Sequence, residues 1–432
     1  MIVQRLLSRM RQGLPNTLLI TAGMSAAGLI SGLIVARTLG PEGRGQFASI
    51  VLWPTMLATF GELGLGMAFA YFAGKNRESI PGLWTLAWVV SLLIGGVVSL
   101  AGVVILPSQL VLSELALVEL RWNLLTVPII MLAGYLGYLL LGAGCLVEFN
   151  LVRASSGICY LFGVAAVAFI GDSDIRLFTV AFILAQLVGC VLAIVFCVSR
   201  LHPTWHWNPQ LFKPIFVYGA KTYASSLMAQ ANLRLDQLIM TIVVSPTQLG
   251  IYVVAVAFAG MLNPVYGAVA TVVLPRVTQS PSRLLGGKVA IRHLWLMFFG
   301  SVPLTIVLCV MMPMLLPLLF GSDYQLSVLP AQVLVIAAFF QGCVTILGNS
   351  LRGLGSPGKT AISEGTGLVV TIGLLFALLP TWGITGAAIA SLTAYSVVAL
   401  IQTIFLLDIS DLDGPDLWPP KGFSYSRLRG ER

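Results

Sequence analysis

Five ionisable side chains lie inside long apolar stretches of this sequence: Glu62, Lys221, Arg234, Asp236 and Glu364. A charged group in hydrocarbon is costly unless it faces a polar cavity or a partner, so such residues are candidates for function. A cation in this setting can bind an anion such as phosphate, and an acid can exchange a proton or hold a cation. Glu364 lies near the end of its stretch and is expected at an interface.

Three of these residues share one stretch, which can be read as a helix with about 100° per residue. One face then carries Lys221, Ser225, Asn232 and Asp236, and roughly the opposite face carries Gln230, Arg234 and Gln237. Arg234 is interpreted as a phosphate-binding cation, with a structural ion pair to a neighbouring helix as the alternative. Asp236 fits a buried packing acid better than a coupling acid. Lys221, near the end of the stretch, either binds an anion or extends its amine towards the interface.

Glu62 belongs to a glycine-dense segment, residues 61–66, where a helix can be interrupted. On a helix Thr55, Thr59 and Glu62 share a face, which favours a site that responds to a proton or a cation. A partner for the loosened backbone is the alternative. Arg37 and Arg44 flank a turn, where they either bind an anion or contact lipid headgroups.

The composition places these residues in a membrane protein. Of the 432 residues, 58% are apolar and 9% are charged, against about 25% charged in soluble domains. So few charges cannot cover a folded chain of this length with a hydrated surface. A soluble globular protein is therefore excluded.

The apolar runs predict about twelve transmembrane helices and no strands, since a span needs about 20 apolar residues. Their centres are near Gly28, Thr55, Gly95, Gly134, Gly163, Val188, Gln230, Gly260, Leu308, Ala338, Val370 and Ala394. The first run is too long for a signal peptide and is interpreted as a span.

The basic residues of the connections predict the orientation. Most of the 24 Lys and Arg residues lie on the side of the two termini. The other side has only Arg37, Arg44, Arg121 and Arg176. By the positive-inside rule both termini are cytoplasmic, and the net charge of +8 faces membrane lipids instead of nucleic acid.

Other classes of site find little support in the sequence. The six cysteines fall in apolar runs without zinc-ligand spacing and read as small buried hydrophobes, so neither a metal site nor a cofactor is expected. The short connections leave no room for a soluble catalytic domain. The chain is therefore not expected to be an enzyme.

A short pattern recurs after nearly half the chain. Residues 41–47 (PEGRGQF) and 246–252 (PTQLGIY) share a proline, a glycine and an aromatic residue at the same spacing. Because the copies are separated by an even number of spans, they indicate two six-helix bundles related by pseudo-two-fold symmetry. The predicted divisions are a bundle at 1–199, a cytoplasmic link at 200–213, a bundle at 214–407, and a cytoplasmic tail at 408–432 that is expected to be disordered.

Several stretches together resemble a known family. They are residues 37–47 (RTLGPEGRGQF), 61–66 (GELGLG), 235–237 (LDQ), 249–252 (LGIY) and 383–390 (GITGAAIA). In this order they are similar to the polysaccharide transport (Wzx-like) flippases of the multidrug/oligosaccharidyl-lipid/polysaccharide (MOP) exporter superfamily. The resemblance extends to about residue 407. The chain has twelve predicted spans, whereas the peptidoglycan-precursor flippases of the same superfamily commonly have fourteen. Those flippases are therefore a poorer match.

The resemblance implies an alternating-access flippase of the bacterial cytoplasmic membrane. Its substrate would be an undecaprenyl-diphosphate-linked oligosaccharide for O-antigen, capsule or exopolysaccharide synthesis, and its partners would be membrane lipids, a polysaccharide polymerase and a chain-length protein. Arg234, Lys221, Arg37 and Arg44 would bind the substrate, and Glu62 and Asp236 would serve coupling or structure. A multidrug or cation antiporter, a membrane glycan-assembly enzyme and a scaffold are the alternatives.

Overall fold

The computed structural model describes residues 2–412 and the side chains from residue 20 onwards, apart from those of residues 221, 222 and 224–226. This part of the chain is helical throughout, with short turns and 3-10 segments between the helices and no strand. The helices are α1 (Ile2–Gly61), α2 (Leu65–Lys75), α3 (Ile80–Ile105), α4 (Glu114–Leu124), α5 (Val127–Gly142), α6 (Leu146–Ile170), α7 (Ile175–Leu201), α8 (Phe212–Val243), α9 (Pro246–Ala259), α10 (Asn263–Thr278), α11 (Arg283–Phe320), α12 (Val328–Gly353) and α13 (Pro357–Ser410).

These helices form twelve membrane-crossing segments. Nine helical runs of the described chain are long and apolar enough to cross a membrane. Two of the nine, α1 and α13, are each interrupted by a non-helical glycine, Gly40 and Gly383, so each contains two spans. Helix α8, with 32 residues, supplies the twelfth segment. Each predicted centre falls within one of these segments, and the predicted all-α membrane fold is confirmed.

Contacts divide the chain into two compact units. Unit 1 comprises Met1–Met261 and Pro313–Ala331. One of its apolar clusters joins α2, α3 and α5 around the fully buried Phe69 and Tyr135. Another joins α1, α4 and α7 around Phe47, Leu120 and Phe178. Because the surrounding lipid is as apolar as these side chains, close packing contributes most to holding such helices together.

Unit 2 comprises Leu262–Met312 and Gln332–Arg432. Within it the Gln402 amide donates a 3.1 Å hydrogen bond to Ser363 Oγ. The two units differ in extent from the predicted bundles 1–199 and 214–407, whose division remains a prediction. Helix α13 ends at Ser410, inside the predicted tail, and residues 413–432 lie outside the described residues.

The recurring pattern lies at a close helix crossing within unit 1. A Cβ atom on Gly45 would lie 1.7 Å from the carbonyl oxygen of Pro246. A Cβ atom on Gly250 would lie 1.9 Å from the carbonyl oxygen of Pro41. Each glycine thus admits the backbone of the other copy, so the two related turns pack against each other through equivalent positions.

Candidate functional site

A polar cavity of about 110 Å³ lies within unit 1, next to the interruption between α1 and α2. Its lining residues come from the end of α1, from the start of α2, and from α5 and α8: Thr59, Glu62, Gly64, Gly66, Met67, Tyr138, Tyr223, Leu227 and Gln230. Four helices therefore contribute to one polar space inside a predominantly apolar fold.

The interruption arises because the backbone leaves the helical region at two successive residues. Leu63 and Gly64 have φ angles of 50° and 71°, in the left-handed region that few residues other than glycine adopt. A Cβ atom at position 64 would also lie 2.5 Å from the carbonyl oxygen of Gly219 on α8. The first helix consequently ends at the point where Glu62 enters the cavity.

The Glu62 carboxylate has no hydrogen-bond or ion-pair partner among the described side chains. Two glycines leave space for it, because Cβ atoms on Gly66 and Gly134 would lie 3.1 and 3.2 Å from its Oε1 atom. An unpaired carboxylate in an apolar protein is unusual and indicates a site that receives a ligand or a proton.

The last carbonyl groups of α1 are already hydrogen-bonded. The Tyr223 hydroxyl donates to the carbonyl oxygens of Phe60 at 2.7 Å and Thr59 at 3.2 Å. The Tyr135 hydroxyl donates to the carbonyl oxygen of Glu62 at 3.2 Å. These hydrogen bonds satisfy backbone carbonyl groups that have no partner within the helix at its C-terminal end. The polar groups still available in the cavity include the Glu62 carboxylate and the Gln230 amide.

Arg234 extends the face of α8 that lines the cavity. Tyr223, Leu227 and Gln230 follow one another at spacings of four and three residues, and Arg234 is four residues further. Gln230 and Arg234 are thus about 6 Å apart along the helix axis. Arg234 is half-buried, and its guanidinium forms no ion pair with a described residue.

Asp236 lies on another face of α8. Its side chain is 4% exposed, and its Oδ2 atom accepts a hydrogen bond from the hydroxyl of Tyr252 on α9. Asp236 and Arg234 therefore serve different neighbours. The Lys221 side chain lies outside the described residues, so its predicted role remains a prediction.

The two arginines of the first turn lie away from this cavity. Arg37 donates hydrogen bonds of 2.6 Å from Nε and from Nη2 to the carbonyl oxygens of Leu319 and Leu318, at the end of α11. A cation is favourable there because the helix end carries partial negative charge. The Nε atom of Arg44 is buried without a hydrogen-bond partner.

A metal site of the common kind is not formed by the part of the chain that the structure describes, where no three His, Cys, Asp or Glu residues cluster. The six cysteines are unpaired, and Cys190 and Cys197 are buried.

Sequence reasoning did not identify Tyr138 and Tyr223 as site residues. Aromatic residues in an apolar run normally indicate core packing, so their type gave no signal. The spacing of Tyr223, Gln230 and Arg234 along one helix face would have indicated that at least one of the tyrosines shares the polar face.

The fold is similar to that of known transporters. A MATE family transporter of the MOP superfamily in its inward-facing conformation superposes with a TM-score of 0.73 at 14% identity, covering 90% of this chain and 95% of that one. The lipid II flippase MurJ, inward closed, gives a TM-score of 0.72 at 14% identity, with coverages of 92% and 88%. At such identity the likeness shows the fold alone.

Two curated relatives are similar over part of their length. A protein of Shigella flexneri named as an O-antigen transporter is 23% identical over 202 residues, 46% of this chain and 47% of that protein. A protein of Haloferax volcanii named as a low-salt glycan biosynthesis flippase is 24% identical over 246 residues, 52% of this chain and 49% of that protein. The chain thus matches about half the length of each.

A family model described as polysaccharide biosynthesis protein matches residues 15–280. This range covers more than half of the chain and includes both copies of the recurring pattern, the helix interruption at Glu62 and the whole of α8. The predicted resemblance is confirmed, and this multi-pass membrane protein belongs to the polysaccharide biosynthesis protein family.

Proposed function

We propose that the protein is a flippase that moves a lipid-linked oligosaccharide, carried on undecaprenyl diphosphate, across the bacterial cytoplasmic membrane. The observation that carries the proposal is the row of polar groups, Glu62, Gln230 and Arg234, for which the described side chains provide no hydrogen-bond or ion-pair partner. Family membership and the names of the two relatives support it. Both termini are proposed to be cytoplasmic, and a polymerase and a chain-length protein are proposed partners.

The substrate's chemistry explains why such groups are needed. Each sugar hydroxyl that enters hydrocarbon without a partner costs about 4 to 8 kcal/mol, so the glycan requires a polar path. The diphosphate is anionic and requires cations. Arg234 is proposed to contact it inside the protein, and Lys221, near the other end of α8, is proposed to contact it at a separate position. Arg37 and Arg44 are proposed to contact it near the first turn.

The two acids are proposed to have different roles. Asp236 is hydrogen-bonded to Tyr252, which supports a structural role in holding α8 against α9. Glu62 lines the cavity and has no partner among the described side chains, which supports contact with a ligand. Alternating access between two bundles, 1–199 and 214–407, remains part of the proposal, and no covalent chemistry is proposed.

The membrane potential is proposed to drive export without a coupled ion. An inside-negative potential favours outward movement of an anion by about 2.3 kcal/mol per charge per 100 mV. We therefore expect flipping of a substrate with about two negative charges to fall strongly in vesicles whose potential is clamped to zero while a pH or sodium gradient is kept. Flipping at an undiminished rate would contradict this mechanism.

The function itself is tested on lipids extracted from cells that lack the gene. We expect mass spectrometry to find an accumulated lipid-linked oligosaccharide that a membrane-impermeant glycosidase does not reach. Wild-type protein should remove it and Arg234→Ala should not. If no such lipid accumulates and the cells become sensitive to cationic drugs, the multidrug-antiporter alternative replaces this proposal.

A further inference from the structure

The polar cavity lined by Glu62, hereafter the Glu62 cavity, contains an acidic side chain, whereas Arg234 beyond it on α8 is basic. When ionised, the Glu62 carboxylate repels a phosphate group, whereas Arg234, one helical turn beyond Gln230 on α8, attracts it. The two ends of this short polar row are thus suited to different parts of one ligand. An anion would lie at Arg234, and a group rich in hydrogen-bond donors would lie at Glu62.

The backbone carbonyl oxygens next to Glu62 already accept hydrogen bonds and are less available to a metal cation. The carbonyl oxygens of Thr59, Phe60 and Glu62 each accept a tyrosine hydroxyl, and the Glu62 carbonyl also accepts the Leu65 amide. Hard cations take about six oxygen ligands. The lining side chains that remain, among them the Glu62 carboxylate and the Gln230 amide, can pair with two or three hydroxyl groups of a ligand.

The cavity's size and walls suit part of a sugar ring. Its volume of about 110 Å³ is enough for several small polar groups of a ligand. Its polar groups include the Glu62 carboxylate, which can accept from two hydroxyls, and the Gln230 amide, which can both donate and accept. Tyr138 also lines the cavity and adds an aromatic side chain to its wall.

From this arrangement we propose that the Glu62 cavity binds the sugar residue joined directly to the diphosphate, and that it selects a neutral or amino sugar over an acidic one. The distance of about 6 Å along α8 between Gln230 and Arg234 matches a sugar and the phosphate attached to it. An acidic sugar would place a second carboxylate beside Glu62, where their repulsion is poorly screened. The inference rests on the proposed function, which supplies the diphosphate carrier.

The test measures binding of three lipids to the full-length protein in nanodiscs by native mass spectrometry. The probes are undecaprenyl diphosphate without a sugar, with N-acetylglucosamine and with a hexuronic acid. Wild type should bind the N-acetylglucosamine lipid at least about tenfold more tightly than the hexuronic acid lipid. Glu62→Gln should reduce this ratio to about twofold or less and leave the sugar-free lipid unaffected.

Three further variants make the result specific. Arg234→Gln should weaken binding of all three lipids alike, whereas Glu42→Gln, which neutralises an exposed acid outside the cavity, should change none. Glu62→Asp keeps the charge and should retain discrimination against the acidic sugar. Equal binding of the two sugar lipids by wild type, or an equal effect of Glu62→Gln on all three lipids, would overturn the inference alone. If wild type bound none of them, the proposed function would fail as well.

Discussion

Replacing Arg234 by glutamine is expected to slow flipping about 10- to 100-fold while leaving the thermal unfolding midpoint of the protein unchanged. A charge-assisted hydrogen bond contributes about 1.5 to 3 kcal/mol, which corresponds to this range of rates if the contact is made during transfer. Stability should not change because the guanidinium has no ion-pair partner among the described residues to lose. The measurement is the initial flipping rate of a fluorescent undecaprenyl-diphosphate sugar in proteoliposomes, with the unfolding midpoint measured on the same preparation.

Two further variants separate a binding role from a structural one. Arg234→Lys keeps the charge but loses the planar, two-pronged donor geometry, so its rate should be intermediate. Arg121→Gln removes an exposed arginine of α4 and should behave as wild type. A structural ion pair, the alternative that the sequence left open, would instead lower the unfolding midpoint of Arg234→Gln together with its rate. Transport at the wild-type rate would remove Arg234 from the site.

The sequence allowed the spans to be predicted because the length and polarity of an apolar run are local properties. The run around Gln230 was recognised although α8 carries polar residues, since its charges are few. The helical wheel also assigned Arg234 and Asp236 to different faces. The hydrogen bond from Tyr252 to Asp236 gives one of those faces a neighbouring helix.

The surroundings of the site depend on contacts between distant segments and could not be predicted in the same way. Arg37 bonds to carbonyl oxygens about 280 residues away in the chain. Glu62 has space for its carboxylate because α2 and α5 each place a glycine against it. The residues next to Glu62 in the sequence do not indicate that Gly134, on a different helix, lies against its carboxylate. Residue type identified the charges, whereas only the packing shows that Glu62 and Arg234 have no ion-pair partner among the described residues.

The largest effect on folding is expected from alanine at Gly45. Its Cβ would lie 1.7 Å from one backbone oxygen, that of Pro246, and 2.9 Å from the amide nitrogen of Gly250. Backbone atoms inside two packed helices cannot move aside as a flexible side chain can, so α1 and α9 must separate. Overpacking of this kind typically costs about 1 to 3 kcal/mol. We expect a loss of several degrees in the unfolding midpoint of the detergent-solubilised protein.

Gly28→Ala is the matched control, because Gly28 lies in the preceding span of α1 and no atom of a neighbouring element lies within 4 Å of its added Cβ. Alanine also favours helix over glycine, so this variant should be at least as stable as wild type. An unfolding midpoint of Gly45→Ala equal to that of Gly28→Ala would contradict the close crossing.

The double variant Gly45→Ala/Gly250→Ala tests whether the two copies of the pattern form one crossing. The second Cβ would lie 1.9 Å from the Pro41 carbonyl oxygen, in the same space that the first substitution has already forced open. Because the helices need to separate only once, the double variant should lose less stability than the sum of the single variants. If the stability losses of the two single variants add up in the double variant, the two glycines act at independent contacts. The repeated turns would then not pack as a single unit.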